Sequence, residues 1–221
     1  MIVKGISQKK HGSMKLFADG KNDKNREQFF SSLGFEKSRV VSAGIVHGES
    51  IATVGVADGG KIIPDVDGLT TDETNLLLTV TVADCLPLYF WNEAKRVVGI
   101  AHAGWRGVAK NIVGRMVSVL QSEYGCEPGT IRAEVGPHIQ ICHFAVGADL
   151  ISKFGRRDIL YRQGSAYLNL SAIVAKQLAQ VGVREVTIRN ECTYCLENDY
   201  FSFRRDQPHE IEAMVAYIGM T

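Results

Sequence analysis

Residues 75–92 read NLLLTVTVADCLPLYFWN, and they constrain the fold more than any other stretch of the chain. Apolar residues fill consecutive positions on either side of an Ala-Asp-Cys interruption. Neighbouring side chains of a strand point to opposite faces, so a run that is apolar at every position predicts a strand covered on both faces. Pro87 has no N–H to give to a central ladder, which predicts that pairing breaks there. The interruption carries chemistry as well, a carboxylate at Asp84 and a thiol at Cys85.

The remaining elements follow from periodicity and punctuation. Strands are expected at RVVSAGIVHG (39–48), SIATVG (50–55), RVVGIAH (96–102), TIRAEVG (130–136), EVTIRN (185–190) and MVAYIG (214–219). NDKNREQFFSSLG reads as a helix capped by Asn22 or Asp23 and stopped at Gly34. Apolar residues at 108, 112, 113, 116, 117, 119 and 120 predict one amphipathic helix ending at Gly125. GADLISKFG gives a short helix, and LNLSAIVAKQLAQVGV a longer one capped by Asn169 or Ser171 and stopped at Gly182. The first twenty residues read as a short strand and a polar turn, and GGKIIPDVDGLTTDE as the main loop. Strands and helices alternate only in the middle, which argues against a plain doubly wound sheet.

With 221 residues the chain can bury roughly 70% of its unfolded surface, so it needs no disulfide or metal merely to fold. No repeat or linker divides it, and one domain over 1–221 is expected. A net charge of +1 gives no pull toward nucleic acid or an anionic membrane. No apolar run approaches the roughly 20 residues of a membrane span. The N-terminal MIVKGISQKKHGS has no apolar signal core. Five cysteines, an odd number, suit a reducing compartment, so a cytoplasmic protein is expected.

Three strand-like segments end at metal-ligand side chains, His47 in IVHG, Cys85 in VADCLP and His102 in IAHAGWRG. Each precedes a Gly or Pro within two residues, where the backbone turns and strand ends can converge. Imidazole nitrogen and thiolate sulfur suit Zn²⁺, and three protein ligands leave the fourth position of a catalytic zinc open. Taken alone, each residue has a plainer reading, as a hydrogen-bonded structural histidine or a small buried thiol.

TVADCLPLYF, GIAHAGWRG, EVGPHIQICHFAVG and ECTYCLENDYFSFRRD occur in this order over residues 40–206, and together the chain resembles the YfiH/laccase-domain family. Its members are also called multicopper polyphenol oxidase-like or purine nucleoside phosphorylase-like proteins. The resemblance implies a mixed α/β (α+β) domain with mixed β-sheets packed between helical layers. It also implies a zinc ion on His47, Cys85 and His102, with copper as the alternative ion. Two positions depart from the family pattern. Ile45 stands where Gln is usual and Ala145 where Glu is common.

Purine nucleoside chemistry is the activity implied. It comprises phosphorolysis of adenosine, inosine, guanosine or methylthioadenosine to base and ribose-1-phosphate, with adenosine deamination beside it. The partners are then small-molecule nucleosides and phosphate. Arg106, a guanidinium able to grip phosphate with two hydrogen bonds, is the candidate phosphate seat, helped by backbone N–H groups of a helix starting after Gly107. Arg204 and Arg205 could add charge, although one of the two is expected to be a surface ion-pair residue. Asp84, Glu49 and His143 are candidates for moving or orienting a proton. Trp105 either stacks on a base or anchors the turn. His138, Cys142 and His143 fall in a block that lines the pocket in the family. In CTYC, Cys192–Cys195 is a lone CxxC, and Cys195 reads as incidental.

Three rivals remain. A four-copper oxidase draws on more histidines than the six this chain has. A metal-free hydrolase would use Cys85 as nucleophile with His102 or His47 as base. A partner-binding protein leaves the His, Cys and Arg cluster without a purpose.

Overall fold

The run at 75–92 forms two strands that belong to two different sheets. The structure is a computed structural model that describes residues 1–16 and 20–221. Strand β6 (Leu77–Val82) lies at the centre of a five-stranded sheet. The order there is β1 (Ile2–Ile6), β14 (Met214–Met220), β6, β2 (Val40–Gly44) and β4 (Ile62–Pro64). Strand β7 (Leu86–Asn92) lies inside a six-stranded sheet. Its order is β13 (Glu185–Ile188), β9 (Arg132–Val135), β7, β8 (Val97–Ala103), β5 (Gly68–Thr71) and β3 (Ile51–Thr53). Both sheets are mixed. The pairs β2–β4, β2–β6, β3–β5 and β13–β9 are parallel and the others antiparallel.

The two sheets stack face to face. Leu78, Val80 and Val82 of β6 meet Tyr89 of β7 and Val98 and Ile100 of β8 in the core between them. Alternate residues point outward. On the far side of the five-stranded sheet, α1 (Gly20–Ser32) sets Phe29 and Phe30 against Leu77, Val215 and Tyr217. On the far side of the six-stranded sheet, α3 (Ile112–Tyr124) and α5 (Leu170–Gln180) pack Met116, Leu120 and Val174 on Leu86, Leu88 and Phe90. The layers run helix, sheet, sheet, helix, which is the mixed α/β arrangement the resemblance implied. Being covered on both faces, β7 carries no polar alternation, and the threonine that alternates with Leu78 and Val80 in β6, Thr79, is itself buried.

Several local expectations are corrected. Pro87 does not break pairing, because it sits opposite His102 in the β7–β8 ladder. Its carbonyl accepts from the Gly136 N–H at 2.9 Å, so its nitrogen also faces the β9 side. There β9 pairs only from Leu88 onward, and the missing N–H costs no hydrogen bond. The single helix expected from 108 is two. A short α2 (Trp105–Ala109) ends before Asn111, which at φ 65° turns the chain and caps α3 by accepting from the Gly114 N–H. The main loop contains β4 and β5. The hairpin-like sheet of β10 (Ala145–Val146), β12 (Ser165–Leu168) and β11 (Ile159–Arg162) was not anticipated. Helix α1 begins at Gly20, and the polar turn expected before it runs into residues 17–19, outside the described residues. Asn169 does cap α5, accepting from the Ala172 N–H at 3.0 Å. Short helices α4 (Ala148–Ile151) and α6 (Phe203–Asp206) complete the set. Among the described residues no helix is long and apolar enough to cross a membrane.

Candidate metal centre and substrate cavity

The switch from one sheet to the other places Cys85 immediately before β7, beside the end of β8. His102 is the penultimate residue of β8. His47 lies beyond the end of β2, at φ 59°, in the loop leading to β3. One donor atom from each of the three lies within 4.8 Å of the other two. The two imidazoles meet edge to face, with ring centroids 4.9 Å apart. Gly104 makes the convergence sterically feasible. A Cβ on it would stand 3.1 Å from the Cys85 Sγ, 3.5 Å from the His47 ring and 3.6 Å from the His102 ring, filling the space the three share.

Asp67, which sequence reasoning missed, positions both histidines. Its fully buried carboxylate sets Oδ1 3.0 Å from the His102 Nδ1, leaving Nε2 for the shared space. Its Oδ2 accepts from the backbone N–H groups of Gly48, at 2.6 Å, and Val46, at 3.3 Å, on either side of His47. Its backbone carbonyl accepts from the His102 N–H at 2.7 Å. A carboxylate behind a ligating imidazole fixes the ring and raises its basicity. The only signal for Asp67 was its place just before Gly68 in a loop already rich in aspartates.

The site is polarised. Burial pushes the Cys85 thiol up, but the His102 imidazolium beside it and hydrogen bonds from His102 and His47 outweigh that and bring it down to about 6. Burial also disfavours charge on His102. The Cys85 thiolate and the Asp67 carboxylate reverse this and raise it to about 9. Asp67 loses some acidity to burial, yet its bonds from His102 and Gly48 hold it below the usual carboxylate range. A pre-formed thiolate with two imidazole nitrogens, one of them braced by a carboxylate, is a donor set that suits zinc.

This trio opens into a cavity of about 720 Å³. Val46, Thr81, Val82, Phe203 and Ile211 are among its walls, and Lys15 is the one lysine or arginine lining it among the described residues. The volume and mostly apolar lining are those of a small-molecule site.

The other expected site residues lie elsewhere. Arg106 is exposed, stacked at 4.3 Å over the Trp105 ring, and Trp105 packs on the helical side of the core; neither lines the cavity. The helix of the expected phosphate seat starts at Trp105, not after Gly107. Arg205 spends its guanidinium on the carbonyls of Thr193, Tyr194 and Tyr200 and on Asp206, so it clamps a loop. Arg204 reaches the Ala145 carbonyl. Asp84 is buried, and its carboxylate accepts from the Thr193 and Ser202 hydroxyls and the Arg204 N–H rather than reaching a histidine of the trio. His138 is buried with Nδ1 on the Gly136 carbonyl, and burial lowers it to about 4. His143 stacks on Tyr194 at 4.0 Å and lies beside Cys142, Cys192 and Cys195.

A two-sheet sandwich with a His-Cys-His cluster at the sheet switch defines a class of protein. The chain belongs to the multi-copper polyphenol oxidoreductase laccase family, whose profile matches residues 4–221. It is 34% identical over 212 residues to the purine nucleoside phosphorylase YlmD of Geobacillus stearothermophilus, covering 88% of this chain and 77% of that protein. The purine nucleoside phosphorylase YfiH of Shigella flexneri is 30% identical over 216 residues, 93% of this chain and 86% of its own. Among solved structures, hypothetical protein YfiH of Bacillus licheniformis superposes with a TM-score of 0.94 at 28% identity, over 100% of this chain and 93% of that one.

Proposed function

We propose that the protein is a zinc-dependent purine nucleoside phosphorylase with accompanying adenosine deaminase activity. Its substrates would be adenosine, inosine, guanosine and methylthioadenosine. The observation that carries this reading is the convergence of His47, Cys85 and His102 on the wall of a cavity of about 720 Å³, with Asp67 holding the His102 imidazole and the backbone on either side of His47. Support comes from relatives that bear the phosphorylase name.

His47, Cys85 and His102 would hold the ion, which supplies Lewis-acid chemistry and a nucleophile at neutral pH when bound. The chain does the rest. Val46, Val82 and Ile211 exclude water from the nucleoside. Phe203, half exposed on the wall, offers a ring to the purine face. Lys15 brings the positive charge that phosphate needs, a role that passes to it from Arg106. Phosphate then replaces the base at the ribosyl carbon, giving free base and ribose-1-phosphate.

The test is incubation of zinc-loaded protein with adenosine and with inosine, with and without phosphate. Base release that depends on phosphate is expected from both, and inosine from adenosine without it. Absence of turnover, or turnover unchanged by Cys85→Ala, would sink the proposal. The family description favours copper chemistry as a second reading. An intense blue absorbance band from the metal-loaded protein, with oxidation of a phenol, would establish that instead.

A further inference from the structure

A second group of metal-ligand side chains lies outside the cavity. Cys142 and His143, just ahead of β10, meet Cys192 and Cys195, in the turn that follows β13. The sulfurs of Cys142 and Cys192 are 3.6 Å apart, and those of Cys142 and Cys195 3.9 Å. The His143 Nδ1 stands 3.2 Å from the Cys142 sulfur and 3.3 Å from that of Cys195.

These distances can be set against a tetrahedral ion. With Zn–S of about 2.3 Å and Zn–N of about 2.0–2.1 Å, the sulfurs of one tetrahedron stand about 3.8 Å apart and a sulfur and nitrogen about 3.5 Å. All four measured edges fall within a few tenths of an ångström of those values. Two backbone N–H groups, of Gln140 and Cys195, point at the Cys192 sulfur, as amides do where they offset thiolate charge. Tyr194 stacks on the His143 ring and fixes its plane. A cluster of inert thiols has no reason to aim an imidazole nitrogen at two sulfurs. Cys126 shows the contrast, being buried among apolar side chains as a small hydrophobe.

We propose that Cys142, His143, Cys192 and Cys195 form a closed structural zinc site, separate from the open trio at the cavity. Four protein ligands leave no position for substrate, so its role is mechanical. It ties the segment ahead of β10 to the 192–206 segment, whose Thr193, Ser202 and Arg204 N–H hold Asp84 beside Cys85.

Protein purified under reductant and loaded with Zn²⁺ is expected to retain two equivalents after desalting. X-ray absorption then reports an average of two sulfurs per zinc, three from one site and one from the other. Cys85→Ala, which disables the trio, keeps one equivalent, with three sulfurs and one nitrogen around it. Adding Cys195→Ser to that variant removes the remaining equivalent. Should either variant fold poorly, the wild-type average decides alone. One sulfur per zinc with a single equivalent bound overturns the proposal. So does a disulfide among Cys142, Cys192 and Cys195 that persists in protein kept under reductant. Neither result bears on nucleoside turnover at the trio.

Discussion

Asp67 does more with one side chain than any other residue of the site. Each of its oxygens serves a different histidine, one through the imidazole and the other through the backbone beside it. Asp67→Asn keeps the size but loses the charge, and is expected to weaken zinc binding 10–100-fold in a competitive chelator titration, with the fold intact. The same variant has a signature in metal-free protein. Cys85 alkylation follows the thiolate, so in the wild type its rate rises through a midpoint near pH 6, where an ordinary thiol would need about pH 9. Asp67 raises His102, and losing it leaves less imidazolium to stabilise the thiolate. The midpoint must therefore move up in Asp67→Asn; a midpoint that stays or falls means that Asp67 does not act through His102. His47, Cys85 and His102 were legible in the sequence because each closes a strand-like segment just before a turn and each falls in a motif of the family the chain resembles. Asp67 was not, because its loop also carries Asp65 and Asp72, and only burial singles it out. Arg106 and Arg205 misled for the opposite reason. Their type fits phosphate, but type says nothing about which partners the fold has already given them.

At the scale of elements, what could be read was what local pattern dictates. The buried strands, the Asn169 cap and the stop at Gly125 follow from neighbours in the chain. Strands β4 and β5 were hidden because short pieces amid Gly, Pro and Asp carry turn chemistry, and their burial comes from partners far away in sequence. Strands β10 to β12 were hidden because β11 is largely exposed and lacks alternation. Asn111 was missed because the helical apolar period continues across it. Its role is testable. The side chain caps α3 and the backbone sits at φ 65°, a conformation costly for most L-residues. Asn111→Ala loses the cap and keeps the strain, a cost of about 2 kcal/mol. Asn111→Gly relieves the strain and caps almost as well, so urea unfolding is expected to put its cost at a few tenths of a kcal/mol. Equal losses in the two variants would mean that neither cap nor φ governs the break.

Over the whole molecule, the decisive event is the passage of one apolar run from the five-stranded to the six-stranded sheet. Ala83, Asp84 and Cys85 make that passage, and Asp84 takes it at φ 83°. The residue that turns the chain also gathers three donors from more than a hundred positions away, the Thr193 and Ser202 hydroxyls and the Arg204 N–H. The fold thus locks its C-terminal segment to the sheet switch through a buried carboxylate, and Cys85 emerges next to that lock. A catalytic Asp84 and a structural one predict different outcomes for Asp84→Asn. A proton carrier replaced by an amide loses turnover by 100-fold or more while the protein stays stable. A lock replaced by an amide keeps the left-handed turn, which Asn tolerates, but weakens charge-assisted bonds worth about 1.5–3 kcal/mol each. The geometry favours the lock. We expect Asp84→Asn to lose about 3 kcal/mol in urea unfolding, with nucleoside turnover per folded molecule within a few-fold of the wild type. A stable variant without turnover would return Asp84 to the catalytic machinery.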